Sequence, residues 1–124
     1  MKIHASRKAG FTLVEIMITV AIIGMLSAIG VPNAMKARET AQFNSIINNL
    51  RIIEGSKDQW ALENKQPPGA QPTETNLVAF IKNNSMPQAV TGETYNINPV
   101  GTPANATTPV KLGSVPAGGT VVLP

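Results

Sequence analysis

The sequence FTLVEIMITVAIIGMLSAIGV, from Phe11 to Val31, decides the organisation of this chain of 124 residues. Its one charged residue is Glu15. As a helix it would span about 32 Å, which matches the hydrocarbon thickness of a bilayer. A charge within a membrane costs about 2.5 to 3.5 kcal/mol on insertion scales, so it needs a functional reason and a partner. The stretch predicts a transmembrane helix whose single acid has a specific role.

Positive charge precedes this stretch. Lys2, Arg7 and Lys8 lie before Gly10, and without them the net charge of +3 falls to zero, with seven basic and seven acidic residues left. Basic residues before an apolar run keep the N-terminus in the cytoplasm, so everything after Val31 should lie outside. The alternative is a removed signal peptide, but its apolar region is shorter and ends in a small-x-small site, of which residues 28–30 are a poor version.

The residues after the apolar stretch predict an amphipathic continuation of the same helix, from Asn33 to about Lys65. Pro32 removes a backbone donor, so we expect a kink or local melting there. Gly55 is a weak point. One face of the predicted helix is apolar and consists of Phe43, Ile46, Ile47, Leu50, Ile53, Trp60 and Ala61.

Shorter elements should follow residues 66–69, where two prolines and a glycine end the helix. We predict a short helix over 73–82 that is capped by Thr73. We then predict three strands, at 93–98, 110–112 and 120–123. Pro109 would confine the second strand to an edge of the sheet. A small antiparallel sheet needs a helix to cover one face, and the apolar stripe is the large surface available. The fold class is therefore α+β, a long N-terminal helix packed on a small antiparallel sheet.

Composition argues against an enzyme. The chain has no cysteine, one histidine (His4) and one aspartate (Asp58), so disulfides, cysteine-ligated metals, a histidine-based dyad and a carboxylate calcium cage are not expected. We predict no catalytic residue, no cofactor and no metal site. After Lys65 the basic residues Lys82 and Lys111 are matched by two acids, so we expect no nucleic-acid partner.

A counter-charge for Glu15 could come from a new N-terminus. Cleavage between Gly10 and Phe11 would leave a cationic amine one helical turn from Glu15. Alternatively, the carboxylate favours its own helix N-terminus and extends toward the headgroups. Both interpretations are compatible with the insertion cost.

The stretch KAGFTLVEIMITVAIIG, from Lys8 to Gly24, resembles the processing motif of type IV pilins and type II secretion pseudopilins, and the resemblance continues to Pro32. It implies that a membrane-embedded prepilin peptidase cuts after Gly10 and methylates Phe11. It also implies that Glu15 pairs with the amine of a neighbouring subunit during assembly. The pattern divides the chain into a basic leader (1–10), a transmembrane assembly helix (11–31) and a pilin-like head (32–124).

The resemblance implies a structural subunit that forms a filament with copies of itself and with other pilin-like subunits. Before assembly the subunit would lie in the bacterial inner membrane, and its head would be periplasmic or extracellular. A cytoplasmic assembly ATPase and an inner-membrane platform protein would drive the assembly of the filament. We favour a type II secretion pseudopilus, because the head is small and lacks a disulfide loop. The alternatives are a true type IV pilin for adhesion, motility or DNA uptake, or a single-pass anchored binding protein. With Glu93 alone among acids after Lys82, the calcium site of major pseudopilins is not expected.

Small residues in the apolar stretch suggest helix packing. Gly24 and Ala28 fit the small-xxx-small pattern that lets membrane helices approach closely, although ordinary anchors also contain such residues. Gly30 and Pro32 suit a helix that melts when a subunit leaves lipid, the alternative being a static kink.

Overall fold

The computed structural model describes residues 10–124, so most of the basic leader lies outside the described residues. The chain divides into two compact units, the first ending at Met35 and the second comprising Lys36–Pro124. Helix α1 comprises Leu13–Glu63.

In the first unit, the side chains of the apolar stretch, residues 11–31, are all exposed. By length and composition, α1 is the one helix in the described part of the chain that could cross a membrane, a test that a signal sequence also passes. The helix does not end at Pro32, which lies inside it. A proline removes only one hydrogen bond of the ladder, and the turns on either side remain helical. Melting at Gly30 and Pro32 on leaving lipid stays a prediction.

In the second unit, the predicted apolar stripe of α1 forms the core. Its buried members recur at helical spacing, and Phe43 and Ala61 pack against them while partly exposed. Three of these side chains, Ile46, Leu50 and Ile53, have no exposed surface at all. The buried apolar members are Ile46, Ile47, Leu50, Ile53 and Trp60.

The capped short helix is confirmed but is shorter than predicted. Helix α2 comprises Glu74–Val78, and its N-cap Thr73 exchanges hydrogen bonds with Asn76, which satisfies amides at the helix start. A single 3-10 turn, Lys82–Asn84, follows separately. Asn83 there has a φ of 73°, which a continuous helix could not accommodate. Leu77 of α2 is buried in the core.

The sheet has three short antiparallel strands in the order β1 (Thr94–Asn96), β2 (Asn105–Thr107) and β3 (Thr120–Val122). Tyr95 pairs with Ala106, and Ala106 pairs with Val121, so one row across the sheet carries the residues that join the helix core. The alternate positions face outward, as the two-residue period of a strand requires. The α+β fold, with a long helix packed on a small antiparallel sheet, is confirmed.

The predicted strand at 110–112 is wrong. The second strand is Asn105–Thr107, and it is central rather than at the edge. Leu112 instead closes a tight turn by a bridge to Val115, with Gly113 at a φ of 58°, and its side chain is buried. Leu112 thus joins the core from a loop, whereas Val110 is exposed. Pro109 has no amide to donate to a sheet ladder.

Candidate functional site

Helix α1 begins with a reciprocal pair of hydrogen bonds between Thr12 and Glu15. The backbone amide of Thr12 donates to Glu15 Oε2 at 3.0 Å, and the amide of Glu15 donates to Thr12 Oγ1 at 3.2 Å. This is the capping box expected for Thr-x-x-Glu before an apolar run, and it satisfies two amides that the helix leaves unpaired. In the isolated chain, Glu15 therefore interacts with its own helix N-terminus.

Thr12 caps the start of α1, a role that the sequence interpretation missed. Its signal was present, because Ser or Thr three residues before Glu is the sequence pattern of a helix start. The junction ahead of it is open: Gly10 is exposed, and Phe11 is 86% exposed. Both residues of the Gly10–Phe11 peptide bond are therefore exposed among the described residues, and the bond precedes the capped first turn of α1.

Among residues 10–124, nothing packs against the small residues of the apolar stretch. A Cβ added to Gly24 or Gly30 would meet no atom within 4 Å, and Ala28 is exposed. The fold of the isolated chain therefore gives no reason for glycine at these positions. Close packing against other helices stays the prediction for Gly24 and Ala28.

In the head, Glu93 is a buried carboxylate with a full set of donors. It accepts hydrogen bonds from the amides of Val90 and Thr91 at 2.8 and 2.7 Å, from the Thr91 hydroxyl at 2.9 Å and from the Tyr95 hydroxyl. The Tyr95 hydroxyl in turn accepts from Asn49 Nδ2 at 2.8 Å. This cluster joins α1 to β1 and to the segment before it.

The cluster shifts the pKa values of both ionisable members. Burial acts to raise the pKa of Glu93, but the hydrogen bonds from Tyr95, Val90 and Thr91 outweigh it and lower the pKa to about 2. Burial, and then the carboxylate of Glu93, raise the pKa of Tyr95. At neutral pH the Glu93 carboxylate is therefore charged and accepts a hydrogen bond from the neutral Tyr95 hydroxyl.

A second buried charge lies on α1 itself. Lys57 is fully buried and forms a 2.9 Å ion pair with Glu54. Its Nζ donates to the carbonyl of Thr102 at 2.6 Å and to that of Ile97 at 3.3 Å. Sequence interpretation missed this residue and Glu93, because their partners are main-chain groups that a pattern of residue types does not reveal.

The described residues offer little for acid–base or metal chemistry. Across residues 10–124, no group of three or more His, Asp, Glu or Cys side chains comes together. In the same range, every buried side-chain nitrogen and oxygen has a hydrogen-bond partner. Lys57 and Glu93, the two buried charges of the head, thus have structural partners, whereas Thr12 and Glu15 form an exposed hydrogen-bonded turn at the start of α1.

Comparison with known families identifies the N-terminal motif. The family described as "Prokaryotic N-terminal methylation motif" matches residues 5–31, which include the Gly10–Phe11 junction and Glu15. No solved structure gives a significant match to the chain.

Comparison with individual proteins gives several relatives of one name, "Type II secretion system core protein G". The Klebsiella pneumoniae protein is 37% identical over 75 residues, 60% of this chain and 51% of its own length. The Dickeya chrysanthemi protein is 35% identical over 81 residues, which are 65% of this chain and 51% of that protein. The Escherichia coli protein is 36% identical over 62 residues, which are 50% of this chain and 43% of that protein. This chain thus spans about half the length of these relatives. The resemblance to the type IV pilin and type II secretion pseudopilin family is confirmed: the chain carries the N-terminal methylation motif and is similar to core protein G over about 60% of its length.

Proposed function

We propose that this chain is a structural subunit of a type II secretion pseudopilus, made as a membrane-anchored precursor and polymerised through its N-terminal helix. The observation that carries the proposal is the methylation motif at 5–31, in a chain whose relatives are named core protein G of that system. The exposed apolar half of α1 supports it, since such a surface requires lipid or other helices as its surroundings.

Processing is the first step of the proposed function. A prepilin peptidase cuts after Gly10 and methylates the new N-terminal residue, Phe11. Support comes from the exposure of both residues and from the capped turn that begins directly after them. A methylated amine remains cationic at neutral pH, so processing would place a positive charge one turn from Glu15.

Assembly then uses Glu15. In the isolated chain its carboxylate has one strong interaction, with the amide of Thr12, and the side chain is exposed. The remaining carboxylate oxygen is available to a cation, and an incoming Phe11 amine would meet this charge in a low-dielectric setting, where the attraction is strong. Glu15 therefore draws each subunit to its neighbour.

The same proposal places the unassembled subunit in the bacterial inner membrane, with its N-terminus cytoplasmic and its head periplasmic. Its partners are further pilin-like subunits, the prepilin peptidase, an inner-membrane platform protein and a cytoplasmic ATPase. An energy source is required, because transferring an apolar helix of this length out of lipid is strongly unfavourable. The subunit acts mechanically and is not an enzyme.

The test is co-expression of the full chain with a prepilin peptidase, followed by mass spectrometry of the mature N-terminus. We expect a chain that begins at Phe11 and carries one added methyl group. Gly10→Val is the control and should remain uncut, because its side chain changes the cleaved bond alone. An intact leader in the parent, or cleavage near Gly30, would contradict the proposal. In a bacterium lacking core protein G, the parent chain should restore filaments.

A further inference from the structure

Lys57 is the buried cation of an oxygen-lined site. Its side chain is fully buried, and its Nζ has three oxygen partners: the carbonyls of Thr102 (2.6 Å) and Ile97 (3.3 Å) and Glu54 Oε2 (2.9 Å). An ammonium has three donors, so the three oxygens match its capacity. A buried charge is tolerated only when it is paired and hydrogen-bonded, and both conditions hold here.

The oxygens belong to one loop and one helix. Residues 97–104, here called the 97–104 loop, join β1 to β2. Glu54 Oε2, which pairs with Lys57, also accepts from the amide of Ala104 at 2.9 Å, so the ion pair contacts the loop at its first residue, near its middle and at its last. Helix α1 thus holds both ends of the 97–104 loop through two adjacent side chains.

A third element fixes the centre of the loop. The amide of Val100 donates to the carbonyl of Ala70 at 2.9 Å, and the amide of Gly69 donates to the carbonyl of Val100 at 2.8 Å. Two strained positions accompany this pairing, Gly69 with a φ of 90° and Asn98 with a φ of 57°. A loop with this path brings the carbonyls of Ile97 and Thr102 toward one point, where the Lys57 ammonium satisfies both.

Two main-chain carbonyls and a carboxylate are the hard oxygen donors that bind Ca²⁺ and similar cations. We propose that the Lys57 ammonium is a covalently tethered cation that takes the place of a free metal ion in this site. The head consequently folds without divalent metal, and removing the side chain converts the site into one that accepts a small free cation. The proposal concerns the head alone and does not depend on filament assembly.

Thermal unfolding of the full chain in detergent tests the proposal, with fluorescence of Trp60, the single tryptophan, as the readout. The melting temperature of the parent should be the same in EDTA and in millimolar CaCl₂. Lys57→Ala should melt at least about 10 °C lower, because Glu54 loses its ion-pair partner and the carbonyls of Ile97 and Thr102 lose their donor. Lys111→Met, at an exposed lysine, is the matched control and should melt with the parent.

Rescue distinguishes a cation site from lost packing. Propylammonium, which replaces the missing atoms and the charge, should raise the melting temperature of Lys57→Ala and leave the parent unchanged. The uncharged 1-propanol should rescue neither. Equal rescue by both compounds, or a parent stabilised by CaCl₂, would overturn the proposal.

The parent chain provides a measurement if Lys57→Ala does not fold. Acetylation of the lysines in the native full chain, in EDTA, followed by peptide mass spectrometry, should modify Lys111 rapidly and Lys57 at least tenfold more slowly. Equal rates at the two lysines would show that the ammonium is not held in the site without metal, and would refute the inference.

Discussion

The Tyr95 hydroxyl donates to the buried carboxylate of Glu93, which lies two residues earlier, just before β1. The same hydroxyl accepts a hydrogen bond from Asn49 of helix α1. One tyrosine therefore links the sheet to the helix through polar atoms, beside the apolar row in which its ring lies. The stability of the head should depend on the charge state of this pair.

Glu93 should make the head sensitive to acid only at low pH. Its pKa in the folded chain, about 2, lies below the ordinary 4.5, so its contribution is complete above pH 4.5 and is lost as pH falls through about 2. A shift of this size corresponds to about 3 kcal/mol. Glu93→Gln should lose about that much stability at pH 7, and its stability should vary less between pH 5 and 2 than that of the parent. Unfolding monitored at Trp60 measures this, with Glu74→Gln, at an exposed acid, as control. A parallel pH profile for parent and Glu93→Gln would contradict the prediction.

Tyr95→Phe should test the hydroxyl without removing the ring from the core. We expect a loss of about 1 to 3 kcal/mol, because the buried carboxylate loses one donor. The pKa of folded Glu93 should also rise, so acid unfolding should begin at higher pH than in the parent. The double variant with Glu93→Gln should lose less than the sum of the two single losses, since the residues interact directly. Additive losses would show that the hydroxyl acts independently of Glu93.

Thr12 and Glu15 should differ in their effects on assembly. Thr12→Ala removes the hydroxyl cap and should weaken the first turn by about 1 kcal/mol, while leaving the carboxylate for a neighbour. Glu15→Gln keeps a similar shape but removes the charge. Filament yield on the cell surface should fall severely for Glu15→Gln and Glu15→Ala and modestly for Thr12→Ala, with N-terminal cleavage retained in all three. If Glu15→Gln assembled as efficiently as the parent, the carboxylate would serve only its own helix.

Gly55→Ala should stabilise the head. Gly55 lies within α1 on its exposed side, and a Cβ there would meet no atom within 4 Å. Alanine is favoured over glycine within a helix by about 0.8 to 1 kcal/mol, because it loses less backbone entropy. Thermal unfolding should show a rise of a few degrees. A decrease would mean that Gly55 has a contact that the isolated chain does not make.

Gly119→Ala should have the opposite effect. A Cβ at Gly119 would lie 2.8 Å from the carbonyl oxygen of Pro116 and 2.9 Å from a methyl group of Val115. The carbonyl belongs to a tight turn and cannot move freely, since the amide of Gly119 itself donates to it at 2.9 Å. We expect a loss of about 1 to 3 kcal/mol, measured by the same unfolding assay. Unchanged stability would show that this turn can open without cost.

The sequence predicted the helical parts of this fold better than the sheet. The apolar stripe of α1 and the cap at Thr73 are local patterns, and both are confirmed. Strand β2 was missed because Asn105-Ala106-Thr107 contains a single small apolar residue, whereas Val110 and Leu112 carry the stronger alternation and lie in a loop. In strands of three residues, tertiary context outweighs propensity.

In the candidate site too, the residues that mark a local sequence pattern could be predicted, and those held by distant main-chain groups could not. Glu15 was evident as one charge in an apolar stretch, and Thr12 was detectable from its spacing to Glu15. Lys57 and Glu93 were not, because a charge pattern assigns such residues to solvent, as is usual for their types. Their burial depends on main-chain carbonyls and amides whose positions are known only once the loops are folded.

The hydrogen bonds that fasten helix α1 to the rest of the head join residues far apart in sequence. The amide of Gly113 donates to Glu39 across 74 residues, that of Ala104 to Glu54 across 50, and Lys57 to Thr102 across 45. Synthesis proceeds from the N-terminus, so α1 is complete before any of these partners exists. Contacts of such long range form late and slow the folding of a chain. The head therefore cannot close until synthesis has passed β3, and until then its apolar stripe needs protection from aggregation.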